Sequence, residues 1–238
     1  MCKTQSEDIT PRMTALLLAI VTVVYALVMQ YCQEYRFYAK EAEYLWLNDP
    51  LWVGQWLTRP AGIAQLLTSA LTQFFGIWGV GPWTMALLFA MLMACGLSLH
   101  RQLCLPSKLR LWWLIPVSFL YLCHENGYYN LRGTVATVMA VGAACVYVRH
   151  RSVLSAALLT GLVCWMAGAA GVLLAVLIVV IELITSRRWW RMGVAVLTAV
   201  LAAGIGVQQG TWISMEEALT PPNTITGLPP TSSRSMPG

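Results

Sequence analysis

Residues 152–181, SVLSAALLTGLVCWMAGAAGVLLAVLIVVI, run without one Asp, Glu, Lys or Arg. A membrane-spanning helix needs about 20 such residues. This run is long for one crossing, and its middle, Trp165-Met166-Ala167-Gly168-Ala169-Ala170-Gly171, carries two glycines able to open a tight connection. The spacing predicts a hairpin of two short helices, roughly 152–167 and 169–185. One long tilted helix packed through its small residues is the competing reading. Topology favours the hairpin, because a single crossing would strand Arg187, Arg188 and Arg191 on the side opposite the other basic clusters.

The same charge map extends along the chain. Residues 13–33, 77–99, 111–123, 133–148 and 192–215 are also free of charged side chains. Hydrophobic residues make up 58% and charged residues 11%, against about 25% charged in soluble domains, and the mean hydropathy is +0.64. Such a chain cannot cover a water-facing surface in the usual way, so a bilayer is its expected solvent. The net charge of +5 does not point to nucleic acid. Lys3 and Arg12, then Arg101, Lys108 and Arg110, then Arg149 and Arg151, then Arg187, Arg188 and Arg191 flank apolar runs, as topology determinants do. They place the amino terminus inside and the carboxyl terminus outside a cell inner (plasma) membrane. The expected fold is all-α: a polytopic transmembrane bundle of about seven spans, one pair a short broken hairpin, with in-plane amphipathic helices in the first external loop.

Residues 13–31 lack a small-residue cleavage site and read as an uncleaved first span. Residues 111–123 are short for a span, with Pro116 as a kink and Trp112 and Trp113 at the interface. They either extend through Tyr128 and Tyr129 or stop short in a cavity. Residues 1–212 form the transmembrane domain. Residues 213–238, rich in Pro, Ser, Thr and Gly, form a tail read as disordered or truncated. The seven cysteines include no C-x-x-C pair, which implies neither a disulfide framework nor a zinc site. A Cys32–Cys123 bridge stays open, since both fall near one predicted membrane face.

Functional signal concentrates between the first two spans. Glu34 to Leu57 carries Tyr35, Phe37, Tyr38, Tyr44, Trp46, Trp52 and Trp56, an aromatic density suited to the headgroup layer. Asp49 and Pro50 are a helix cap and first helical residue. Over 60–76, Ile63, Leu66, Leu67, Ala70, Leu71, Phe74 and Phe75 share one helical face, with Gln65, Thr68, Ser69, Thr72 and Gln73 on the other. The pattern predicts an amphipathic helix lying in the membrane plane or capping the bundle, either as a plain anchor or as the roof of a cavity.

Glu43 can pair with Lys40 three residues back, whereas Glu41 has no cation at helical spacing and neighbours Phe37, Tyr44 and Leu45. Such a carboxylate is either a solvated headgroup-level Glu or a general base or cation ligand. A divalent cation is therefore left open as a cofactor. A second polar group, His124-Glu125-Asn126-Gly127-Tyr128-Tyr129-Asn130-Leu131-Arg132, faces the same side. It is an ordinary turn, or a site in which His124 and Glu125 move a proton while Arg132 or Arg59 holds a phosphate and Gln73 contacts substrate. Glu182, near the end of its helix, is expected to reach out towards Arg187 or Arg188.

Arg59-Pro60-Ala61-Gly62-Ile63, Leu71-Thr72-Gln73-Phe74-Phe75, His124-Glu125-Asn126 and the stretch Ala167-Gly168 to Glu182 resemble a bacterial family of polytopic membrane proteins of unknown function. The resemblance covers roughly residues 13–190, with Ala61 where its pattern would carry a second glycine. The layout is also similar to that of C-type-fold membrane glycosyltransferases. These use polyprenyl-phosphate sugars and an external-loop carboxylate as base or metal ligand. That likeness implies a lipid-linked substrate and puts Glu41 in the carboxylate's place, with Glu43 and Asp49 secondary. A non-catalytic scaffold with partner membrane subunits, and then a transporter, are the other classes the residues leave open.

Overall fold

A computed structural model of the chain describes residues 11–43, 46–47, 49–125, 130–185 and 188–208. Among them the fold is all-helical, without a strand. The order is α1 (Pro11–Glu43), α2 (Pro50–Thr58), α3 (Gly62–Thr72), α4 (Val80–Gln102), a 3-10 segment (Ser107–Trp113), α5 (Leu114–Glu125), α6 (Leu131–Arg149), α7 (Val153–Ala167), α8 (Ala170–Thr185) and α9 (Trp189–Gln208). The tail read at residues 213–238 lies outside the described residues.

The local signals fixed several boundaries. Asp49 Oδ1 accepts a hydrogen bond from the Leu51 N–H at 3.0 Å, and Pro50 is the first residue of α2. The run 152–185 is two helices. Gly168, at φ +64° and ψ −124°, breaks it, a conformation that costs little only without a Cβ. Gly171 then lets α8 fold back on α7, since a Cβ there would overlap Cys164.

Other expectations need correction. The first span and the external aromatic helix are one helix: α1 runs 33 residues, about 50 Å. Among the described residues two helices, α4 and α6, are long and apolar enough to cross a membrane. α7 and α8 have 15 and 16 residues, which is about 22–24 Å, short of a hydrocarbon core of about 30 Å. Pro116 does not kink a span. It lies in the first turn of α5, where a missing N–H costs nothing. The six described cysteines, Cys32 and Cys123 among them, are free thiols.

The structure decides which face of α3 packs on protein. Its polar face turns inward. Thr68, Ser69 and Thr72 are buried with Ala64 and Leu66, while Leu67 and Phe74 stand exposed. The helix packs on α6 and α7. Thr68 Oγ1 donates to the Ala64 carbonyl at 2.7 Å and Thr72 Oγ1 to the Thr68 carbonyl at 3.0 Å. Each threonine hydroxyl is thereby spent on its own helix, which leaves small, methyl-bearing surfaces for close packing.

The contacts between helices define two ends of the bundle. Phe37 of α1 lies over Gly81 of α4, and Trp113 lies over Gly96. Leu18 of α1 shares a groove with Leu97 of α4, so α1 and α4 are antiparallel. Cys145 Sγ donates to the Cys95 carbonyl at 3.2 Å, so α6 runs alongside α4. One end thus gathers Arg101, Arg149 and Arg191, and the other gathers Phe37, His124 and Trp165.

At that second end the turn into α3 is fixed by backbone contacts. Ala61 sits at φ +64° with its N–H donating to the Trp165 carbonyl at 2.6 Å. This is the position where the resembled family's pattern would carry glycine. At the next residue a Cβ would overlap the Trp56 backbone. Gly62→Ala is expected to cost about 2 kcal/mol or more by overpacking against a backbone that cannot yield. Gly142→Ala on α6, with nothing within 4 Å of the new methyl, should be neutral or stabilising by about 0.5–1 kcal/mol. Thermal melting of the two variants in detergent checks the pair.

Candidate functional site

The residues singled out from sequence lie around one end of the bundle but do not form one pocket among the described residues. α1 carries Glu41 to within two residues of its end, and α5 ends on Glu125. The side chains of both lie outside the described residues. His124 is buried, with Nε2 2.7 Å from Thr134 Oγ1 and its ring 6.0 Å from that of Phe89. It ties α5 to α6. Arg132 occupies the first turn of α6, its N–H capped by Asn130 Oδ1 at 2.8 Å. The Arg59 guanidinium lies 5.9 Å from the Trp56 ring centroid, a cation–π distance. Gln73 is exposed at the end of α3. Among the described residues no cluster of three or more His, Cys, Asp or Glu side chains forms.

The polar centre that sequence reasoning missed lies at the other end. Glu182 does not reach out of α8; it is fully buried. Tyr147 of α6 donates its hydroxyl to Glu182 Oε1 at 2.7 Å. Arg191 of α9 pairs with the same oxygen at 3.3 Å, its own side chain 14% exposed. A carboxylate withdrawn from solvent is costly unless a cation and a hydrogen-bond donor accompany it, and here these come from two other helices, α9 and α6. The available sequence signal was a lone acid inside an apolar stretch. Its partners, 35 residues back and 9 ahead, follow no helical period.

Two open grooves lie elsewhere on the bundle. One, about 600 Å³, lies between α8 and α9 and is lined by apolar residues such as Val179, Leu183, Trp189 and Val196. The other, about 500 Å³, lies between α1 and α4 and reaches Arg101, Gln102 and Arg149 at the basic end. None of Glu41, Arg59, Gln73, His124, Glu125 and Arg132 lines either groove.

The ion pair gives an ordered set of stabilities. Glu182→Ala strands Arg191 and should cost about 3–5 kcal/mol. Tyr147→Phe removes one bond to a charged acceptor and should cost about 1.5–3 kcal/mol. Denaturation of the purified variants measures both, and equal losses would contradict a carboxylate-centred network.

No curated protein and no solved structure matches this chain. One family does, over residues 9–231. The chain therefore belongs to DUF6057, a family of unknown function.

Proposed function

We propose that this chain is a multi-pass protein of the plasma (inner) membrane, with its basic end and amino terminus cytoplasmic, acting as a non-catalytic scaffold for partner membrane subunits. The observation that carries the membrane reading is inverted polarity. Thr68, Ser69, Thr72, Thr134 and Thr160 are buried, while Leu16, Ile20, Leu87, Phe119, Leu158 and Leu201 stand exposed. Lipid, which solvates such side chains, rewards that arrangement, and water penalises it. In this reading α1, α4, α5, α6, the short α7–α8 hairpin and α9 make about seven passages, the short ones relying on local thinning of the bilayer.

The scaffold role is supported by how the buried ionisable groups are used. His124 joins α5 to α6, and Glu182 joins α6, α8 and α9. On α9, Gly193 and Gly204 leave open space where a Cβ would sit, room for the close approach of another helix. One observation favours a second reading, transfer from a lipid-linked sugar: α1 is continuous to Glu43, so Glu41 rides on a single rod at the end that also holds Arg59 and Arg132.

Two measurements decide. A membrane-impermeant thiol reagent on intact cells should label Gln73→Cys above the parent chain and reach exposed Cys104 only after permeabilisation. Labelling of Cys104 in intact cells would overturn the orientation. Glu41→Gln should leave glycan products unchanged if the protein is a scaffold and abolish them if it is a transferase.

A further inference from the structure

The groove between α1 and α4 has a composition that selects a ligand. Its walls include Leu18, Ala94 and Leu97, and its mouth at the basic end is formed by Ser98, Arg101, Gln102 and Arg149. Apolar walls leading to two guanidinium groups fit an acyl chain below and a phosphate above. An aqueous anion has no use for the first and a neutral lipid none for the second.

Gln102 Nε2 donates to Ser98 Oγ at 3.0 Å, which braces the polar rim of the groove. Arg149 lies at the end of α6 and Arg101 at the end of α4, so the site is anchored on helix termini rather than on a loop.

We infer that this groove binds one anionic phospholipid, its headgroup phosphate at Arg101 and Arg149 and an acyl chain between α1 and α4. The inference rests on the membrane reading above and adds a site distinct from the Glu41 end and from the buried Glu182 pair. The occupant follows from charge complementarity: the arginines sit at the level where a cytoplasmic leaflet presents its anionic headgroups.

The test is lipid retention by the full chain purified in detergent, read by native mass spectrometry with phosphatidylglycerol and phosphatidylcholine as probes. Phosphatidylglycerol should be retained over phosphatidylcholine by about 30-fold, the scale two arginines supply at a headgroup. The double variant Arg101→Gln/Arg149→Gln should bring the two lipids close to parity. The charge-matched control Arg151→Gln/Arg188→Gln, outside the groove, should keep the preference. Arg101→Lys/Arg149→Lys should keep most of it, which separates lost charge from lost folding. Equal retention of both lipids by the parent chain, or the same loss in the control, overturns the site. Either result leaves the membrane reading standing, because thiol labelling tests that reading separately.

Discussion

A carboxylate with no solvent exposure has to keep its partners, and that constraint organises the carboxyl-terminal half of this protein. Tyr147 and Arg191 both hold Glu182 Oε1, and removing either leaves a buried charge less well compensated. α6, α8 and α9 therefore cannot slide independently. The close-packed interior formed by Ala140, Ala144, Leu174, Ile178 and Ala195 depends on the register this pair imposes. An all-apolar core of similar volume would hold together as well, but many registers would serve it almost equally; a buried polar pair favours one.

The amino-terminal half is held differently. Phe37 and Trp113 lie over Gly81 and Gly96 of α4, and Phe37 meets Phe75 edge to face at 5.5 Å. These are shape contacts, with a ring filling the space where a Cβ is missing. His124 and Thr134 supply the hydrogen bond between α5 and α6 in this half. The molecule thus has a polar tie near each end and interlocked small and large side chains between them. The arginines of three separate connections come together at the end where Glu182 lies, and the aromatic segment of α1, α2 and α3 closes the opposite one.

Sequence legibility tracked the range of each interaction. The Asp49–Pro50 start of α2 was readable because a cap bonds to a backbone N–H two residues on. The break at Gly168 was readable because glycine there permits a backbone few other residues adopt. A glycine at position 61 was implied only by the family resemblance, and the backbone there is left-handed. The facing of α3 was not legible. Periodicity divides a helix into two faces but does not say which one meets protein, and an apolar face can equally well meet apolar surroundings. Glu182 was misread because a charge near a helix end usually reaches for the surface, and its orientation inward depends on a tyrosine 35 residues away.

The chain alone determined the features that composition and local chemistry control: an all-helical architecture, most helix boundaries, the hairpin at 152–185, and the grouping of basic residues between apolar runs. These depend on how each residue biases its own backbone and on the solvent it tolerates, both properties of a few consecutive positions. Only the tertiary structure decided which polar groups are used within the bundle, which face of α3 is hidden, and that Arg101 and Arg149 share one groove. Those outcomes depend on distances between helices, and a distance between helices is set by all the side chains that meet there at once.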